Sequence, residues 1–472
     1  MIYYFFSLNP EKHLIQVEFR LGNITENQLK VQFPAWRPGR YQLQHFAKNI
    51  KDFHAYDQDG NSISIQKYKK DGWIANTEHT QTLIIRYSYY ASEINAGSSF
   101  LNADLLYINP VNLCLYVEER MNEPCELIIH NPEKKKIACG LGSLQSEDNL
   151  ILKARDFHHV ADSPLVMSHY LETITYHADN IPFHFHIHGN MDFDNERLIH
   201  DFRLFTENQI RIFGGFPEKD YHFILIVPQH PYYHGVEHRN STMMVLGPDS
   251  SEPEEIYQEI LGLASHELFH TWNICKIRPA ELLPYDYSKE NYFATCFIAE
   301  GVTTYYGDKA LFDSGVFTQE QYYKELETRY KRHFEESDPA SQSLLESSYD
   351  LWLDGYEKGI PNRKVSVYHK GAIAAQILDG MIRKKFNGKK SLDDVMRIMW
   401  ERFGRPFKGY LYKDYQDICE EVFEGSLSAY FKKIIESNES VLHDLNGQLK
   451  EIQLYVERDA YGMVKLKSLS EQ

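Results

Sequence analysis

Residues 256–273 read IYQEILGLASHELFHTWN, a stretch with helical periodicity that contains the pattern His-Glu-x-x-His. On a helix, positions i and i+4 lie on one face, so His266 and His270 can reach a common ligand. Two imidazoles in this arrangement can bind one Zn²⁺, and Glu267 between them can accept a proton from water at the metal. The alternative interpretation is a pair of partly buried histidines on an amphipathic helix.

A second helical stretch offers a third metal ligand. Residues 297–306 read FIAEGVTTYY, in which Glu300 is the one acidic residue among apolar and small ones. A carboxylate in such surroundings needs a cation, because an unpaired buried charge is costly. The alternative is a carboxylate that interacts with a helix N-terminus. We predict that His266, His270 and Glu300 bind zinc and leave its fourth position open, as catalytic zinc requires.

The periodicity along the chain changes several times, which predicts a multidomain α+β protein. The length, 472 residues, allows about three domains. Short alternating runs such as LIQVEF at 14–19 predict an antiparallel β-sandwich over 1–172. Strands and helices mix over 173–330, and helical periodicity predicts a helical bundle over 331–445. Residues 446–472 read as a short C-terminal strand tail.

Composition excludes several classes of function. Fifty lysines and arginines against 67 aspartates and glutamates give a net charge of −17, which argues against nucleic-acid binding. No run approaches the roughly 18 apolar residues of a membrane helix, so no membrane association is expected. The six cysteines form no CxxC pair, and the N-terminus lacks the features of a signal peptide. We therefore expect free thiols and a cytoplasmic location, with a secreted or periplasmic location as the alternative if a signal peptide has been removed.

Four motifs together resemble one known family. HELFHTWN, followed by EGVTTYYGD at 300–308, is similar to the glycyl aminopeptidase family of gluzincin metallopeptidases, which usually carry a C-terminal PDZ domain. PAWRPGRY at 34–41 and GVEHRNS at 235–241 resemble two further segments of that family. The resemblance implies a β-sandwich, a thermolysin-like catalytic domain and a helical bundle. Because only about 40 residues follow Phe431, we expect the PDZ domain to be absent.

The resemblance also implies roles for further residues. YHKG at 368–371 is similar to a segment of the related aminopeptidase N family, in which the tyrosine, here Tyr368, stabilises the oxyanion. Glu237 matches that family's exopeptidase segment, which implies that it binds the substrate's α-ammonium, with His238 and Asn240 as further substrate-binding residues. The alternatives are a tyrosine that packs on the bundle and a surface charge on an edge strand.

Some residues receive a structural interpretation. Trp272 and Asn273 follow the histidine pair, and we expect them to orient the zinc helix. Three histidines at 184, 186 and 188 alternate with apolar residues, which places them on one face of a strand. We expect that face to be solvated rather than to bind metal.

These observations predict a zinc-dependent aminopeptidase that acts on peptides with a free N-terminus. Glu267 is the expected base, Tyr368 the oxyanion donor and Glu237 the residue that holds the amine. The family resemblance implies release of glycine or alanine. Two alternatives remain open, a zinc endopeptidase of the same fold and a catalytically inactive protein-binding scaffold. The sequence gives no oligomeric state.

Overall fold

A computed structural model describes residues 1–191, 194–248, 253–336, 340–354 and 359–471. The chain begins with a β-sheet domain, continues with a mixed sheet and helices, and ends with a helical region. The predicted multidomain α+β organisation is therefore confirmed at this level. Among the described residues, no helix combines the length and the apolar composition that a membrane crossing requires.

The N-terminal domain consists of three sheets. Its elements are β1 (Ile2–Asn9), β2 (Leu14–Gly22), β3 (Gln28–Gln32), β4 (Ile50–Tyr56), β5 (Ile65–Lys69), β6 (Gly72–Asn76), β7 (Thr82–Tyr90), β8 (Phe100–Leu101), β9 (Leu106–Ile108), β10 (Cys125–His130), β11 (Lys136–Cys139), β12 (Gly142–Gln145), β13 (Asn149–Ala154), α1 (Phe157–Ala161) and β14 (Leu165–Ser168). The sheet orders are β12-β13-β10-β1-β2-β7-β4, β11-β14-β9-β8 and β3-β6-β5.

One strand pair departs from the antiparallel expectation. β1 pairs antiparallel with β2 across a short connection, but its other edge pairs in parallel with β10, Ile2 opposite Cys125. More than 100 residues separate these two strands. A connection of that length permits a parallel crossover, which a tight hairpin does not.

A five-stranded sheet follows and supports the central helices. Its elements are β15 (Glu172–Ala178), β16 (Ile181–His188), α2 (Asn195–Phe213), β17 (Tyr221–Ile226), β18 (Tyr232–Glu237), β19 (Ser241–Gly247) and α3 (Pro253–Phe269), with strand order β15-β16-β17-β19-β18. Because side chains alternate along a strand, Phe223 and Leu225 pack on the helical side. Ile224 and Ile226 pack against Tyr107 of the N-terminal domain on the other side.

The helical region shares one apolar core with the central helices. Its elements are α4 (Thr303–Asp313), α5 (Gln319–Phe334), α6 (Leu344–Tyr349), α7 (Leu351–Asp354), α8 (His369–Lys385), α9 (Leu392–Met399), α10 (Tyr412–Phe423), α11 (Ser428–Tyr430) and α12 (Leu442–Leu449), then the hairpin β20 (Leu454–Arg458) and β21 (Val464–Ser468). A π-helical turn, Phe297–Val302, leads directly into α4.

The histidine face of β16 differs from the expectation. His186 is 5% exposed, so the prediction of a solvated face is wrong at this position. β16 is an inner strand, and His222 of β17 stacks beside His186, with Nε2 of His186 3.0 Å from Nδ1 of His222. Burial lowers the pKa of His186 to about 3, so its imidazole is neutral. The six cysteines are buried and unpaired.

Candidate metal centre and active site

Three predicted ligands meet at one point. His266 lies in the last turn of α3, His270 follows the end of that helix, and Glu300 lies in the π-helical turn. The two Nε2 atoms are 3.1 Å apart. Oε2 of Glu300 lies 3.7 Å from Nε2 of His266 and 3.3 Å from Nε2 of His270.

The spacing and the charges of this group fit a zinc ion. A tetrahedral Zn²⁺ with bonds of about 2.0–2.1 Å holds its ligand atoms about 3.3 Å apart, which matches the three separations. Burial lowers the pKa of His270, but the carboxylates of Glu300, Glu237 and Glu267 together outweigh burial and raise it to about 10. These carboxylates therefore strongly favour a positive charge at the point where the three side chains meet.

Two close glycine contacts bring the ligand-bearing elements together. Gly307 of α4 lies against the backbone of His266, where a Cβ atom would come 3.2 Å from its Cα. Gly301 packs against Gly371 of α8, and a Cβ on Gly371 would lie 2.8 Å from the Cα of Gly301. Because larger side chains would separate these backbones, both glycines of the EGVTTYYGD motif serve helix packing.

The residues after the histidine pair fix the orientation of His270. Its Nδ1 lies 2.9 Å from the backbone carbonyl of Asn273. Since a carbonyl only accepts, Nδ1 carries a proton, and Nε2 is the nitrogen that can bind a metal. The Asn273 amide donates to the carbonyl of Ile298 at 2.8 Å and to the hydroxyl of Thr303 at 3.0 Å. Trp272 stacks on Phe213. These contacts agree with the expected orienting role.

Glu267 lies beside the three ligands on the same helical turn. It is 5% exposed and packs against Gly235 of β18. Its Oε2 has no hydrogen-bond partner among the described residues. Burial is the main cause that raises the pKa of Glu267 to about 8. A buried carboxylate with an unsatisfied oxygen is suited to proton transfer with a bound molecule.

Glu237 ends β18 and faces the same space. With Glu267 and His270 it forms a group whose ligand atoms all lie within 4.8 Å of one another. His270 can bind a metal only through Nε2, because its Nδ1 is hydrogen-bonded to the carbonyl of Asn273. This group and the group of His266, His270 and Glu300 therefore cannot each bind a separate ion through His270. Burial raises the pKa of Glu237, and the nearby Glu300 carboxylate adds to this. A cationic group would relieve both effects.

Tyr368 lies near one of the predicted ligands, His266. It immediately precedes α8, and its ring lies 6.4 Å from the ring of His266, centroid to centroid. Tyr368 and Tyr41 both line a cavity of about 320 Å³ that also borders on His333 and His369. Among the described residues, His266, His270 and Glu300 do not line this cavity, so Tyr41 and Tyr368 are the residues through which it borders on the site.

His238 and Asn240 are adjacent to Glu237 in sequence but contact other partners. His238 Nδ1 lies 3.0 Å from the Asp162 carboxylate. The Asn240 amide donates to the carbonyl of Gly140 at 2.9 Å and to Asp220 at 3.0 Å. Both side chains thus connect the central sheet with neighbouring segments, whereas the carboxylate of Glu237 reaches the ligand group.

Sequence reasoning assigned no role to Tyr41, which the structure places in direct contact with the predicted ligand Glu300. Its hydroxyl donates a hydrogen bond to Oε1 of Glu300 at 3.0 Å. Gly39 of the same segment packs on the Glu237 carboxylate, where a Cβ would come 2.7 Å from Oε2. The only available signal was the PAWRPGRY motif itself, which shows that the segment matters but does not give its contacts.

Two family models match the chain. Residues 4–169 match the Peptidase M61 N-terminal domain, and residues 259–374 match the M61 glycyl aminopeptidase. Together they cover more than half of the chain. It belongs to the M61 glycyl aminopeptidase family. The family predicted from the four motifs is thereby confirmed, and the second match contains His266, His270 and Glu300.

Solved structures share the fold of this M61 protein. An aminopeptidase N family protein from Idiomarina loihiensis is 27% identical with a TM-score of 0.90, over 97% of this chain and 79% of that one. An M1 zinc metallopeptidase from Deinococcus radiodurans is 11% identical with a TM-score of 0.55, over 93% and 94%. Yeast LTA4 hydrolase in complex with bestatin is 12% identical with a TM-score of 0.53, over 93% and 67%.

At identities of 11% and 12%, the Deinococcus and yeast structures show only that the fold is shared. The comparison with curated proteins gave no match. The family assignment and the shared fold support a metallopeptidase.

Proposed function

We propose that this chain is a zinc-dependent aminopeptidase that releases small N-terminal residues, glycine or alanine, from peptides. The observation that carries the proposal is the convergence of two histidines and a carboxylate at 3.1–3.7 Å, with two further buried carboxylates beside them. The preference for small residues rests on the family description. The presence of the His-Glu-x-x-His motif together with Glu300 and Tyr368 argues against a catalytically inactive scaffold.

His266, His270 and Glu300 would hold the zinc ion. When bound, zinc supplies Lewis-acid chemistry, which polarises the scissile carbonyl and lowers the pKa of water. Glu267 accepts the proton of the attacking water on its unpartnered oxygen and passes it to the leaving amine. Tyr368 donates a hydrogen bond to the oxygen that becomes negative, which a neutral phenol can do without adding charge.

Glu237 gives the reaction its exopeptidase character in this proposal. A peptide with a free N-terminus places its α-ammonium against the buried carboxylate, which fixes the scissile bond one residue away. Gly39 leaves room for that carboxylate where a larger side chain would displace it. His238 and Asn240 are predicted substrate-binding residues, but their contacts favour a role in holding the end of β18 in place.

We also propose the division of the chain that the sequence suggested. It consists of a β-sandwich over 1–172, a thermolysin-like gluzincin catalytic domain over 173–330, a helical bundle over 331–445 and a strand tail over 446–472. The shared apolar core supports the close association of the two middle units. A cytoplasmic location stays a prediction.

Metal analysis combined with a substrate screen tests the proposal. The purified protein should contain about one zinc per chain, and chelation should abolish hydrolysis. Glycyl and alanyl amides should be cleaved, and their N-acetylated forms should not. Absence of zinc would contradict the metal site, and equal cleavage of free and acetylated substrates would favour the endopeptidase alternative.

A further inference from the structure

Tyr41 enters the metal centre from the N-terminal domain. It is separated from Glu300 by 259 residues in sequence and is 5% exposed. Its ring packs against the rings of Phe293 and Trp352, with centroid distances of 6.1 Å and 6.3 Å. These contacts leave the phenol little freedom, so its hydrogen bond to Glu300 has a defined direction.

The two oxygens of the Glu300 carboxylate have different partners. Oε2 faces the Nε2 atoms of His266 and His270, whereas Oε1 accepts the hydrogen bond from Tyr41 at 3.0 Å. A carboxylate that is free to rotate can bind a metal through one oxygen or through both. The phenol engages Oε1 and so leaves Oε2 as the ligand atom.

The backbone around Tyr41 is held in place as well. Gly39 adopts a φ of +73°, in the left-handed region that favours glycine. The indole of Trp36 donates to the carbonyl of Arg40, and the amide of Ala35 donates to the carbonyl of Tyr287 at 2.8 Å.

We propose that Tyr41 is a positioning residue that holds Glu300 as a one-oxygen ligand, so that the N-terminal domain completes the zinc site. The inference rests on the proposed metal site and extends it to a segment outside the catalytic motifs. A one-oxygen ligand leaves a metal position open, which a two-oxygen carboxylate would occupy. Tyr41 therefore acts through Glu300 and not on the substrate.

The test compares Tyr41→Phe with Tyr4→Phe. Tyr4 is a matched control, because it is also buried in the N-terminal domain and its hydroxyl donates to the Leu115 carbonyl at 2.7 Å, away from the ligands. Zinc affinity is measured by competition with a chelator. We expect Tyr41→Phe to bind zinc about 10- to 100-fold more weakly, as outer ligand partners typically do when removed. Tyr4→Phe should retain the wild-type affinity.

Cobalt substitution gives a readout that a change in stability alone would not alter. If Glu300 changes from one to two bound oxygens, the visible absorption of the Co²⁺ protein should become weaker and move toward the pattern of five-coordination in Tyr41→Phe only. Circular dichroism and thermal melting of the metal-free proteins establish the temperature range in which all three are folded, and affinities are compared within it.

The outcomes separate this inference from the proposed function. A wild-type protein that binds no zinc would overturn the proposed function itself. A wild type that binds zinc, with Tyr41→Phe equal in affinity and in Co²⁺ spectrum, would overturn only the role of Tyr41. Equal weakening in Tyr41→Phe and Tyr4→Phe would also overturn it, because the loss would then follow from the general stability of the domain.

Discussion

Substitution of Glu237 decides whether the protein recognises a free N-terminus. The carboxylate is 8% exposed and burial raises its pKa, so an α-ammonium beside it would gain a desolvated, charge-assisted contact worth about 2–4 kcal/mol. Glu237→Gln keeps the shape and one acceptor oxygen but loses the charge. It should therefore lose about 2 kcal/mol, or about 30-fold in kcat/KM. Glu237→Ala loses both, and its loss should approach about 1,000-fold.

The assay measures kcat/KM for glycyl and alanyl amides and for their N-acetylated forms. The acetylated substrates carry no ammonium, so both variants should change little on them. Glu255→Gln, a substitution of an exposed glutamate in the first turn of α3, is the matched control and should leave all rates unchanged. Thermal melting should show that Glu237→Gln is at least as stable as the wild type, because a buried carboxylate near Glu300 has been neutralised.

Two results would refute this reasoning. If the wild type cleaves acetylated and free substrates equally, and neither variant changes the ratio, Glu237 does not bind the amine and an endopeptidase is favoured. If both variants lose activity equally on both classes of substrate, Glu237 supports the architecture of the site and not the recognition of the N-terminus.

Four further changes test the remaining groups. His270→Ala should abolish zinc binding by metal analysis, and full occupancy would contradict the ligand set. Glu267→Gln should retain zinc but lose about 10²-fold or more in kcat, and parallel loss of zinc would indicate a structural residue instead. Tyr368→Phe should lower kcat by about 10²–10³ with less change in KM, and an unchanged kcat would assign the oxyanion to another donor. Gly371→Ala should destabilise the fold by about 1–3 kcal/mol, because its Cβ would press on Gly301. An unchanged melting temperature would contradict this expectation.

Local patterns indicated which side chains of the helical part come together. The spacing of His266 and His270 is a property of any helix, so their common face followed from sequence alone. Glu300 could be found because one acidic residue stands out in an apolar helical stretch. The π-helical turn that carries it could not be foreseen, since its extra residue per turn has no distinctive composition.

Contacts between distant segments explain what the sequence did not reveal. The hydrogen bond from Tyr41 to Glu300 links positions 259 residues apart, and a buried tyrosine in a loop has many equally good packing partners. The burial of His186 depends on which strand lies beside β16, and the parallel pairing of β1 depends on where β10 returns. Periodicity fixes the face on which a side chain lies, but tertiary packing decides what covers that face.

The two contacts made by residues 34–41 limit how this protein can be recombined with its relatives. Gly39 packs against the carboxylate of Glu237, and the hydroxyl of Tyr41 donates a hydrogen bond to that of Glu300. One short loop therefore contacts two separate parts of the proposed catalytic region. A chimera that takes its first 170 residues from another member would inherit a foreign loop in this position. Such a chimera should be active only when the foreign loop preserves both contacts. The boundary between the N-terminal sheets and the central sheet is therefore a poor crossover point, and residues 34–41 should come from the same parent as the two histidines.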